Sequence, residues 1–190
     1  MAESGLDSLR TTHDIAVEWG AYELRPPEAP PIPPEVEAAY RERIAAGWPR
    51  VQQIARERFG VEMQRMEGGR HPTRLAHIGA KFAIKQGKGD DYHLAVFRAH
   101  WQELRDISSP DTLAEIAVSV GLDEAGFRAA LTDEFNLSAV LEDERAAAEA
   151  GLTGVPAFIF GNRYLVVGAQ PVEVLRQVAD KCIEEGRVIS

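Results

Sequence analysis

GLTGVPAFIFGNRYLVVG, residues 151–168, is the stretch whose reading decides the fold. It reads as strand, tight turn, strand. Val155 to Phe160 is a short run rich in aromatic and branched side chains, and Tyr164 to Val167 is a second. Gly161-Asn162 between them is a hairpin signal, because a tight β-turn needs residues that tolerate positive φ. Both runs are apolar on successive positions, so helices are expected over both faces of the hairpin. Pro156 stands at the start of the first run. A proline has no N–H for a ladder, so it belongs at a strand start or an edge.

Around this hairpin the chain alternates between helical pattern and punctuation. Ala2 to Thr12 is helical in character, with Leu6 and Leu9 on one side, and His13-Asp14 ends it. Ile15, Val17 and Trp19 alternate with Ala16 and Glu18, which predicts a strand running toward Leu24. Six of the 11 prolines then fall between Pro26 and Pro34, a stiff extended connector. From Glu35 to Ala150 the pattern is helical throughout. Val36, Tyr40 and Ile44 share a face, and Pro49 suits the first turn of a following helix. Leu75, Ile78 and Phe82 form the next stripe, then Leu94, Phe97, Trp101 and Leu104. Thr73 is a suitable N-cap, as are Ser109 and Asp123. Asn136 or Ser138 is expected to open the last of these helices, and Pro171 starts a terminal one bearing Leu175, Val178 and Cys182. This order predicts an α/β base, residues 1–34 and 151–190, carrying an inserted all-helical subdomain, residues 35–150.

Several function classes recede on composition. The formal net charge is −9 over 190 residues, with no basic cluster, which argues against a nucleic-acid backbone as partner. No apolar run is long enough to cross a membrane. Met1 to Gly5 lacks the features of a signal peptide, and one cysteine excludes an internal disulfide, so a cytoplasmic setting is expected. The five histidines show no tight metal-ligand spacing, and no metal is expected.

GVPAFIF followed by YLVVGAQPVEVL resembles the C-terminal half of DsbA-like thioredoxin-fold proteins, in the branch of FrnE-type oxidoreductases and 2-hydroxychromene-2-carboxylate isomerases. The resemblance extends to IAVEWGAYELRP, RHPTRLAHIGAKFA, the Asp106–Ser108 triplet and GLDEAGFRAAL. It implies a thioredoxin-like base with an inserted helical subdomain, and a cis Val155-Pro156 bond. It implies binding of a protein or peptide disulfide, or of glutathione as cofactor in an isomerase relative. The implied contact residues are Gly154, Val155 and Pro156, together with Thr73 and His77. Arg70 and Pro72 match the same cleft-lining segment, although the family's usual asparagine is absent there.

One part of the family pattern is missing. The family carries its chemistry on a first strand and a C-x-x-C at the next helix N-terminus, where the helix dipole stabilises a thiolate. This sequence has neither, so no catalytic residue is assigned. Ser4 and Ser8 lie near the surviving helix start without an evident base. Cys182, on an apolar helix face, reads as a buried structural thiol. The resemblance implies a base sheet without its central strand. Met1 is therefore expected to be internal to a longer reading frame, ahead of a strand supplied by a partner or of the Ile15 and Val155 segments closing onto each other. Reading the DNA upstream of Met1 for an in-frame C-x-x-C tests this. As it stands, the chain is expected to be redox-inactive. The remaining alternative is a non-catalytic protein that holds an extended peptide at the Val155-Pro156 edge by strand addition.

Overall fold

The computed structural model describes residues 2–66 and 71–186. They form two compact units, residues 1–20 with 146–190, and residues 21–145. The second unit begins ahead of the proline tract. Three contacts hold the start of that segment within the helical unit. The Ala21 N–H donates to Asp143, and Arg74 pairs with Glu23 and Glu28.

The first unit holds α1 (Ala2–Arg10), the strands β1 (Ala157–Phe160) and β2 (Tyr164–Val167), and α8 (Val172–Glu184). The strands are antiparallel in the register Ala157↔Val167, Phe158↔Val166, Ile159↔Leu165, Phe160↔Tyr164. Three residues connect them. Gly161 and Asn162 both have φ of 53°, and the Arg163 N–H donates to the Phe160 carbonyl at 3.0 Å. Glycine and asparagine are the residues that take this left-handed backbone at least cost.

The register decides the core. Phe160 and Val166 point inward with Leu9, Leu175, Ala179 and Cys182, and Phe158 and Tyr164 pack beside them. The opposite set, Ile159, Leu165 and Val167, is 42–51% exposed. The expectation of helices on both faces is therefore corrected. A strand pair with period two sends alternate side chains to opposite faces, and α1 and α8 both contribute to the core on one of them.

The strand expected over Ile15 to Leu24 is also corrected. The alternation is present in space, with Ile15, Val17 and Trp19 half-buried and Ala16, Glu18 and Gly20 exposed. Yet among the described residues this extended segment forms no ladder, with β1 or with any other segment. A strand needs a hydrogen-bonded neighbour as well as an alternating pattern.

The second unit contains α2 (Pro34–Phe59), α3 (Arg74–Lys85), α4 (Gly89–Trp101), α5 (Pro110–Ser119), α6 (Glu124–Ala130) and most of α7 (Glu134–Glu149), whose residues 146–149 belong to the first unit. Its core is built on Tyr92, Leu113, Phe127 and Val140. The Phe127 ring lies 5.5 Å from Tyr92 and 6.0 Å from Phe82. Burying each such side chain contributes about 1.5–3 kcal/mol.

Three local expectations change here. Pro49 does not start a helix; α2 runs through it, one backbone hydrogen bond short at that turn. The buried face of α4 is Tyr92, Val96 and Ala99, while Leu94 and Phe97 are exposed. Finally, α7 opens at Glu134, with the Phe135 N–H on the Asp133 carboxylate at 3.0 Å, ahead of Asn136. Ser109 and Asp123 cap as expected, accepting from Thr112 N–H and Gly126 N–H. Among the described residues no helix is long and apolar enough to cross a membrane.

Candidate functional site

In the first unit, Gly154, Val155 and Pro156 form the approach to β1. The Val155-Pro156 bond is cis. The Pro156 carbonyl accepts from the Gly168 N–H at 2.7 Å, which extends the hairpin's pairing past Ala157. Gly168 has φ of 85°, a conformation that favours glycine, and so turns the chain toward α8. Val155 is 50% exposed. A Cβ built on Gly154 would meet nothing within 4 Å, so backbone at this point is open to a neighbour. Val155 and Ile159 are thus both exposed apolar side chains on this side of the turn.

The candidate nucleophiles of this unit are tied into structure. The Ser8 hydroxyl lies 3.3 Å from Arg176 Nη2, which donates to it, so Ser8 faces a cation and not a base. Cys182 is a free thiol with 0% of its surface exposed, in the apolar core. His13 Nε2 lies 3.1 Å from Asp180 Oδ1, linking the end of α1 to α8.

In the second unit, Thr73 and His77 lie at the start of α3. Thr73 occupies the N-cap position, but its side chain makes no capping bond. His77 is held near the Tyr22 carbonyl. Burial, reinforced by the positive charge His93 would carry, pulls its pKa down to about 4, so it is neutral at pH 7. Arg70 lies outside the described residues.

A polar network on the same side of α3 had no counterpart in the sequence reading. Arg74 Nε donates to Glu23 Oε2 at 2.7 Å, and Arg74 Nη2 to Glu28 Oε2 at 2.8 Å. The Glu23 side chain is only 1% exposed. Burial raises its pKa against the pull of Arg74, and Glu144 raises it further. The hydrogen bonds from Arg74 hold the exposed Glu28 carboxyl down to about 2. Lys81 completes the row by pairing with Asp143. The signal was available: Arg74, His77 and Lys81 follow i, i+3, i+7 spacing along RLAHIGAK, one polar face of a helix.

Two motifs of the family resemblance also meet. His71 Nδ1 is 3.7 Å from Asp106 Oδ1, and the Asp106 carboxylate accepts from the Ser108 N–H at 2.9 Å and the Ser108 hydroxyl at 2.6 Å. These Ser108 bonds hold the Asp106 pKa below its ordinary value. The His71 and His100 rings are 6.4 Å apart, and burial lowers the His100 pKa. Among the described residues, no three histidine, cysteine or carboxylate side chains are grouped to hold a metal ion.

Comparison with known proteins bears on the same elements. The DSBA-like thioredoxin domain matches residues 1–179. The chain belongs to the DsbA-like thioredoxin-domain family. Among DsbA-related structures, a probable DsbA oxidoreductase from Streptomyces coelicolor is 27% identical with a TM-score of 0.84, covering 97% of this chain and 84% of that one. A 2-hydroxychromene-2-carboxylate isomerase shares the fold, with a TM-score of 0.74 at 18% identity, covering 97% of this chain and 90% of that one. An uncharacterized protein of Bacillus subtilis, YwbO, is 34% identical over 166 residues, or 86% of this chain and 80% of its own length. The fold is thus the helix-rich DsbA-like form of the thioredoxin fold.

Proposed function

We propose that this member of the DsbA-like family serves thiol–disulfide chemistry by holding an extended, disulfide-bearing peptide at Gly154–Val155–Pro156, and that the sequence in hand does not turn over disulfides by itself. The observation that carries this reading is the state of the sulfur. Exchange needs a thiolate that attacks and a second thiol that resolves the mixed disulfide. The sequence holds one cysteine, Cys182, and it is fully buried. Binding rests on a different feature, the exposed Val155 beside an unobstructed Gly154 at the head of β1. An extended peptide can add there by main-chain hydrogen bonds, with alternate side chains meeting the exposed side of the hairpin. The single buried thiol also fits a reducing compartment, and we assign the protein to the cytoplasm on that ground.

Reduction of insulin by dithiothreitol tests the first half: the expected rate equals the rate without protein, and acceleration overturns it. Titration with an extended disulfide-containing peptide, followed by amide shifts at Val155 and Ala157, tests the second. Shifts with peptide but not with glutathione support the reading; shifts with glutathione alone favour the isomerase relative.

A further inference from the structure

We propose that Glu23 and Glu144 share a single proton, and that this proton is a pH-sensitive latch on the stretch leading into the proline tract. While bound, the proton holds residues 21–28 against α3 and α7; its loss as the pH rises lets them loosen. The Glu23 side chain is 1% exposed. Its Oε2 accepts from Arg74 Nε at 2.7 Å, while both terminal nitrogens of that guanidinium turn to Glu28. Glu144, on α7, comes within hydrogen-bonding reach of Glu23. Its Oε1 is buried and meets no donor.

The cations around this pair are engaged elsewhere. Lys81 pairs with Asp143, which also accepts the Ala21 N–H at 2.6 Å. Arg25 stacks on the Tyr40 ring at 4.8 Å. His77, held near the Tyr22 carbonyl, is neutral at pH 7. Glu23, Glu28 and Glu144 therefore face one guanidinium, Arg74. Two carboxylates in contact and shielded from water repel, and a proton between them turns the repulsion into a charge-assisted hydrogen bond. Burial and the neighbouring Glu144 both raise the proton affinity of Glu23, against the pull of Arg74. Because the folded chain binds this proton more tightly than the unfolded one, its contribution is full in acid and is lost as the pH rises. The bonds from Arg74 to the exposed Glu28 remain, so the segment loosens locally while the helical unit stays folded.

Carboxyl-carbon NMR titration of the full chain, with amide hydrogen exchange from Ala21 to Arg25, tests the proposal. The Glu23 carboxyl should titrate above the ordinary glutamate range. Protection of these amides, corrected for intrinsic exchange, should fall at least tenfold between about pH 5 and about pH 9, the span over which buried carboxyls titrate. In Glu144→Gln the side-chain amide donates to the Glu23 carboxylate and has no proton to lose. The Glu23 midpoint should then drop by about one pH unit, a tenfold change in proton affinity. The loss of protection on raising the pH should also vanish in that variant. A wild-type Glu23 midpoint in the ordinary range overturns the proposal. So does protection that is independent of pH in the wild type, or that falls equally in Glu144→Gln.

Discussion

Arg74 and Glu23 form an ion pair at 2.7 Å in which the carboxylate is 1% exposed. It joins the first turn of α3 to the backbone just before the proline tract, and Glu28 takes up the rest of the guanidinium. Removing the arginine leaves a desolvated carboxylate facing Glu144. Breaking a buried pair from one side costs about 3–5 kcal/mol. Arg74→Met should therefore lower the urea midpoint sharply, and Arg74→Met with Glu23→Leu should recover most of the loss. Equal destabilisation by the single and double variants would contradict this account.

His77 links stability to acidity. Its folded pKa of about 4 lies below the ordinary value of 6.5, so the unfolded chain binds the proton more readily. Its contribution is full above about pH 6.5 and is lost as pH falls toward 4. The shift corresponds to about 3 kcal/mol at most. Unfolding free energies measured between pH 7 and 4 should fall steeply in the wild type and less steeply in His77→Gln.

Gly79 sits at a close approach in the helical core. A Cβ there would lie 2.5 Å from the Tyr92 hydroxyl and 2.7 Å from the Phe127 ring. Those side chains are buried against each other and cannot swing aside. Gly79→Ala should destabilise by about 1–3 kcal/mol through overpacking, despite the better helix propensity of alanine. Thermal unfolding of the variant is the direct check; a gain in stability would show that the core yields.

What could be read from the sequence divides along physical lines. The hairpin was legible because Gly161-Asn162, branched residues and Pro156 are local signals. So were the caps at Ser109 and Asp123, whose side chains act within one turn. The exposure of Ile159, Leu165 and Val167 was not legible, because two successive apolar runs look alike whether one face or two is covered. The absence of a ladder at Ile15 depends on a neighbour, which no local pattern reveals. At the candidate site, Thr73 and His77 came from the family resemblance. The Arg74–Glu23 pair spans 51 residues and needed coordinates to be seen.

Asp143 accepts the Ala21 N–H at 2.6 Å and also binds Lys81, so the backbone enters and leaves the helical unit at nearly the same place. A segment whose two ends are pinned together places no demand on the spacing of the chain that flanks it. It can lengthen, shrink or be exchanged as a cassette, so specificity can diversify there while the hairpin and its two helices stay as they are.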